Sequence, residues 1–371
     1  MTRSRRRRGR FLSGSGAVVL ALLAMIALAS CGAHKTDALA GLTPGPTLPA
    51  RPGAHVLVVG VADFVLASTD GGANWTVAHR GEISNDSLGD LWAVAFGDVA
   101  HGWAVERGSE NRPAMIFATS DGGATWNWQH PGARGRLLAV AASGAKHAWA
   151  AGYRGTMPLL LATGDGGATW KEQAVPRHVQ LYDVAFSDVR HGWALGATQY
   201  SGESFVLSTV DGGARWRVSY TTKAARLSRL ASNGARRCWV VGYTDGPGKQ
   251  RPGLVVATGD GGAHWRTVPS VSAEPLLGVA FPDARHGWAV GPSGTILATS
   301  DGGATWVAQH TDRQFDLKAV AFSDAAHGWA MLGNVALLAT TDGGKTWTVV
   351  KPTRTEHYLA AIACLGPEKG D

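Results

Sequence analysis

The sequence predicts an all-β chain: a seven-bladed β-propeller with four-stranded blades, its ring closed by the C-terminal strand completing the first blade. Three observations predict this. An octet that first reads Ser68-Thr69-Asp70-Gly71-Gly72-Ala73-Asn74-Trp75 occurs seven times. A second signature, Ala93-Val94-Ala95-Phe96 followed by Asp98 and His101-Gly102-Trp103-Ala104-Val105, lies between the octets. The first repeat lacks the opening segment of that signature, and the chain ends on a copy of it. Regular spacing of supersecondary units is the mark of a repeat architecture.

The octets come first because they set the period. Their aspartates are Asp70, Asp121, Asp165, Asp211, Asp260, Asp301 and Asp342, at spacings of 51, 44, 46, 49, 41 and 41 residues. Four short strands with turns need about 40–45 residues. Five positions after each aspartate stands a tryptophan: Trp75, Trp126, Trp170, Trp216, Trp265, Trp306 and Trp347. The aspartate suits a tight hairpin because its carboxylate accepts nearby backbone N–H groups, and the paired glycines permit positive φ. A sevenfold set of acids is read as turn chemistry, not as an active site, because one site needs no such repetition.

The second signature supplies the remaining strands. Its segments are short, β-favouring and bounded by glycine. In the second blade, strand A is read at Leu91–Phe96, B at Gly102–Glu106, C at Met115–Thr119 and D at Thr125–Gln129. The histidines His101, His191, His286 and His327 follow an aspartate by three residues; one per blade points to turns, since zinc needs three or four converging ligands. The first repeat starts at strand B, His55–Gly60, and Leu359–Cys364 matches strand A. Pairing the two removes an open sheet edge.

The N-terminal segment carries the charge imbalance. The formal charge is +7, yet six of the 35 basic residues, and no acidic one, lie within residues 1–30. The balance elsewhere is 29 basic to 28 acidic residues, which gives no footprint for nucleic-acid binding. An arginine-rich stretch, a short apolar run from Gly16 to Ala29 and Leu28-Ala29-Ser30-Cys31 read as a lipoprotein signal peptide. The expected organisation is a signal peptide over 1–30, a lipidated Cys31 and flexible tether over 31–54, and a propeller over 55–371. The protein is then exported and held by its lipid on the periplasmic or extracellular side of a membrane. Cys238 and Cys364 fall in well-separated blades and are expected to be free thiols.

In a four-stranded blade the A–B and C–D turns share one face and the B–C and D–A loops the other. Function is expected on the latter, because loops on a rigid scaffold carry binding. Early loops are read as acidic, with Glu82, Asp86, Asp90, Glu106 and Glu110. Middle loops are read as basic: Arg134, Arg136, Arg154, Arg177, Arg226, Arg229, Lys249 and Arg251. The basic arc is the candidate partner-binding site; solvated surface charge is the other reading. Tyr153, Tyr200 and Tyr243 are candidate contact aromatics. No catalytic residue, metal ligand or cofactor site is expected.

The octet is the Asp-box, or BNR, motif, and it resembles the turns of sialidases, sortilin-type receptors and the photosystem II stability/assembly factor family. The last resemblance runs from about Val56 to Cys364 and includes the Asp-x-x-His-Gly-Trp turn and the lipoprotein leader of some members. It implies a seven-bladed, non-catalytic platform that binds membrane-protein clients through an arginine-rich face. The alternative is a sialidase-like or other glycan-acting propeller. Sialidase chemistry needs an arginine cluster, a tyrosine paired with glutamate, an acid/base aspartate and a Phe/Tyr-Arg-Ile-Pro stretch, none of which is found; other glycosidases use a carboxylate pair.

Overall fold

A computed structural model describes residues 48–61, 64–79, 90–110, 112–176, 179–245, 250–268, 272–309, 315–350 and 358–366. They form seven four-stranded antiparallel sheets with no helix. Blade 1 contains Leu359–Leu365, His55–Gly60, Phe64–Ser68 and Thr76–His79, in that spatial order. The first two pair antiparallel from His55↔Leu365 to Gly60↔Leu359. The other blades follow chain order, and each innermost strand touches the next around the ring, from Leu359–Leu365 through Leu91–Phe96 and back. The fold is the expected seven-bladed propeller.

The innermost strands repeat one pattern: Leu91, Leu137, Leu181, Leu227, Leu276, Leu317 and Leu359 stand at equivalent positions, and all are buried. A register shift follows this leucine in several blades, as between Leu181 and Asp183 and between Leu227 and Arg229. Bulges of this kind bend a strand and re-aim the side chains beside them.

The core lies between blades. One buried cluster joins Trp149 and Leu160 of blade 3 to Leu181 and Phe205 of blade 4. Another joins Trp239 and Val255 of blade 5 to Phe281 and Leu297 of blade 6. Each strand-B tryptophan projects toward the next blade. Trp149, Trp239 and Trp288 stack on Phe186, Phe281 and Phe322 at 3.5, 3.6 and 3.5 Å between ring centroids. Each phenylalanine then meets the octet tryptophan of its own blade edge-on, as Phe281 meets Trp306 at 5.8 Å. The same three strand-B indoles donate to Gly212, Gly302 and Gly343 carbonyls in the neighbouring octets. Where Ala142, Ser232 or Cys364 replaces the phenylalanine, the facing Trp103, Trp193 or Trp329 has no acceptor for its indole N–H among the described residues.

The octets shift one strand boundary. Strand D of blade 2 starts at Asn127, two residues later than expected, because Thr125 is bonded to Asp121 and Trp126 to Gly123. Strand C starts at Ile116, one residue late.

Blade 1 has no continuous A–B turn, since its strand A comes from the far end of the chain. The segment Leu48–Ala54 occupies that place. Gly71 N–H donates to Ala54 O, as Gly122 does to Ala100 O in blade 2. Arg51 N–H donates to Asp70 O, and its guanidinium pairs with Asp324 of blade 7 at 2.8 Å. Leu48 packs against the cluster of Val56 and Trp329. The segment over 1–30 expected to be a signal peptide, and Cys31, lie outside the described residues.

Candidate functional site

The two faces of the ring are built differently. On the face with the A–B and C–D turns, every octet repeats one set of bonds. Thr299 Oγ1 donates to Asp301 Oδ1 and accepts from Gly303 N–H, while Thr305 donates from its backbone and its hydroxyl to the same carboxylate. The donors hold Asp301 well below the ordinary carboxylate range. Ser68 takes the threonine's place in the first octet, Asn74 and His264 replace the second side-chain donor in the first and fifth, and in the fourth Arg215 donates to Asp211 through its backbone N–H. All seven aspartates are thus consumed by their own turns.

The A–B turns are equally self-contained. Asp98, Asp188, Asp283 and Asp324 each accept the backbone N–H of the histidine three residues on and contact its Nδ1. Desolvation pushes these carboxylates up, but the N–H donors outweigh it and the net shift is downward. Among the described residues no group of three or more His, Cys, Asp or Glu is placed to hold a metal.

The opposite face carries the loops. Arg134 and Arg154 line one shallow recess with Pro131, Gly132, Ala133, Leu161 and Glu172. Arg154 is ion-paired with Glu172 at 2.8 Å. Arg251 lies over the ring of Tyr243, 5.2 Å from its centroid, and Tyr243 is buried beneath it. Tyr200 is 86% exposed at the tip of the blade 4 loop. Four of the expected loop arginines stand on strands, Arg154 among them as the last residue of His147–Arg154. Arg136 opens Arg136–Ser143, and Arg226 and Arg229 lie within Ala225–Asn233, because these innermost strands extend further than their apolar cores suggest. Arg226 is spent on the Gly202 carbonyl. Glu106 is no loop acid either: it ends strand Gly102–Glu106 and is buried. Arg107, beside it, stacks over Trp92 at 4.7 Å. Arg177, Lys249, Glu82 and Asp86 lie outside the described residues.

Arg229 belongs with Asp183 instead. Both stand two residues past the repeated leucine of their innermost strands, where the other blades have Ala93, Ala139, Gly278, Ala319 and Ala361. Arg229 is exposed there, on the innermost strand of its blade. Asp183 accepts Leu230 N–H from the next blade at 2.8 Å and Val184 N–H at 3.0 Å. Desolvation raises its carboxyl, and the Arg229 charge opposes the shift. The carboxylate therefore ties two blades together across the bulge. Aligning the repeats by their leucines would have exposed this pair, the two charges in a column of small residues.

A family model described as photosynthesis system II assembly factor YCF48 matches residues 168–275 and 270–355. The fold is similar to that of YCF48 bound to D1 peptide, with a TM-score of 0.55 and 21% identity over 71% of this chain and 83% of that one. It is similar to YCF48 from Cyanidioschyzon merolae, with a TM-score of 0.54 and 19% identity over 75% of this chain and 96% of that one. It also resembles a GH74 xyloglucanase from Xanthomonas campestris, with a TM-score of 0.56 and 17% identity over 86% of this chain and 55% of the enzyme. No curated protein matches the chain by sequence.

Proposed function

Because the chain belongs to the photosynthesis system II assembly factor YCF48 family, we propose that it is a non-catalytic, lipid-anchored extracytoplasmic platform that binds a membrane-protein client. The loop face is the docking surface, with Arg134 and Arg154 at its recess and Arg251 beyond them. The observation that carries this reading is the character of that recess: shallow, with two guanidiniums and one carboxylate, Glu172, already ion-paired. A glycosidase needs two carboxylates facing a cleft. A related fold has been solved with a peptide bound, which supports a protein segment as the class of client. Charge at such a surface governs encounter and register more than raw affinity.

The lipid on Cys31 supplies the membrane location. Two or three acyl chains hold a protein at a bilayer where one does not.

Crosslinking and capture from native membranes tests the reading. Wild-type protein retains a membrane-protein partner, and the variant Arg134→Ala, Arg154→Ala, Arg251→Ala loses it. Equal recovery by both proteins would remove the loop arginines from the interface. Release of reducing sugar from a β-glucan, abolished by Glu172→Gln, would replace the platform with a glycan-acting enzyme.

A further inference from the structure

The arginines left unused by the loop face are on the other side. In blades 4 to 6 the A–B and C–D turns and the strand starts beside them carry Arg190, Arg215, Arg236, Arg237, Arg266 and Arg285, all exposed. Arg217 is present as well, donating to the Gly261 carbonyl at 2.7 Å. These seven arginines face five aspartates, Asp188, Asp211, Asp260, Asp283 and Asp301, each engaged by the donors of its own turn. The same turns of the other four blades carry Arg51, Lys146, Lys171 and Lys345 against six aspartates, and Arg51 is ion-paired. The octet face is therefore polarised, positive over blades 4 to 6.

The chain enters the propeller on this same face. Leu48–Ala54 fills the A–B turn of blade 1, bonded to Thr69 and Asp70 of the first octet. Cys31 precedes Leu48 by 17 residues, a reach of at most about 60 Å even fully extended.

We infer that the octet face is a membrane-docking surface, its arginine arc resting on anionic lipid headgroups, so that the loop face points away from the bilayer toward the client. The inference rests on the lipid anchor proposed above. Anchor and arc act on one face: the acyl chains hold the protein at the bilayer, and the arc tilts blades 4 to 6 onto it. Basic clusters at an anionic surface contribute in this additive way, and the attraction decays within a Debye length. Two non-bridging oxygens of a headgroup phosphate can accept together from the planar guanidinium fork, a match that ammonium does not make.

The test uses the processed, lipidated protein in vesicles that carry an acceptor dye on the headgroups. A donor dye is placed by Val210→Cys on the octet face or by Tyr200→Cys on the loop face, both exposed and in the same blade. With phosphatidylglycerol present, energy transfer from position 210 exceeds that from position 200. The difference disappears in phosphatidylcholine alone, in high salt, and in the variant Arg190→Glu, Arg236→Glu, Arg237→Glu, Arg285→Glu. High salt on the unaltered protein reads the arc even if that variant fails to fold. Greater transfer from position 200, or a difference indifferent to lipid charge and salt, overturns the inference. Binding of an acidic protein by the arc with vesicle distances unchanged overturns it too. The mass of the N-terminal peptide reports the anchor separately. If Cys31 carries no acyl chain, the anchor reading fails by itself and co-sedimentation with phosphatidylglycerol vesicles decides the arc. Binding that drops on the order of 100-fold in the four-site variant retains it; absence of binding overturns it.

Discussion

Trp239 of blade 5 lies flat on Phe281 of blade 6, with planes 6° apart, and its indole donates to Gly302 O at 2.9 Å. The indole thus reads both halves of the neighbouring blade, its inner strand and its octet. Gly303 beside it has φ of 80°, and a Cβ there would stand 2.8 Å from the Trp239 Nε1. Phe281→Ala is expected to lower stability by about 3–5 kcal/mol through the cavity left between blades. Denaturant unfolding monitored by tryptophan fluorescence measures it.

The indole hydrogen bond separates two kinds of tryptophan. Trp239→Phe leaves the Gly302 carbonyl without its donor and is expected to cost about 1–2 kcal/mol more than Trp193→Phe, whose indole N–H has no acceptor among the described residues. Equal losses in the two variants would show that the bond adds nothing to the stacking.

Acid should open the turns before anything else. The Asp324 carboxyl is pushed up by desolvation, but His327 and the backbone N–H groups of Ala326 and His327 bring it down to about 2. A carboxylate with a depressed folded pKa contributes stability that is complete above its unfolded value, near 4, and is lost as pH falls through the folded value. Melting temperature is therefore expected to fall between about pH 4 and pH 2. Asp324→Asn should be destabilised at pH 7 and approach wild type at the acid end. A constant gap across that window would assign the loss to shape instead of charge.

Cys238 and Cys364 are both free. Burial pushes both thiols well above their ordinary range, with the nearby Asp183 and Asp324 charges adding to it. Native protein is expected to resist alkylation at both positions at pH 8, and denatured protein to react fully. Mass spectrometry after iodoacetamide gives the comparison; rapid native labelling at Cys238 would contradict its burial.

The Arg51–Asp324 pair joins the entering chain to blade 7. Its side chains are 26% and 37% exposed, so its strength is that of a partly screened ion pair. A double-mutant cycle with Arg51→Ala and Asp324→Ala is expected to give a coupling of about 0.5–1 kcal/mol. A value indistinguishable from zero would leave Leu48 and the backbone bonds as the whole attachment.

Much of this was legible from the chain. Seven Asp-x-x-x-x-Trp spacings with paired glycines leave few architectures open, and the match of Leu359–Cys364 to a strand A located the closure. Single-residue period cannot show where a strand stops being apolar and continues as arginine, so Arg136, Arg226 and Arg229 read as loop residues. The role of Arg51 was hidden for a related reason. Blade 1 has no local sequence for its missing turn, and its substitute comes from a Pro- and Gly-rich stretch with no periodic signal. The arginine arc of the octet face carries no sequence signal of its own, because its members occupy the variable positions inside the repeats and gather only when the blades close into a ring.

The pairing of His55–Gly60 with Leu359–Leu365 also sets a timetable. Partners at opposite ends of the chain meet only when almost all of it has been made, and contacts of such sequence separation are slow to form. Six blades can assemble as they emerge, each resting on its predecessor. The first blade waits with an open flank until the last strand arrives. A ribosome still holding the strand Leu359–Leu365 therefore holds an unlatched ring, and release of that strand is the event that locks it.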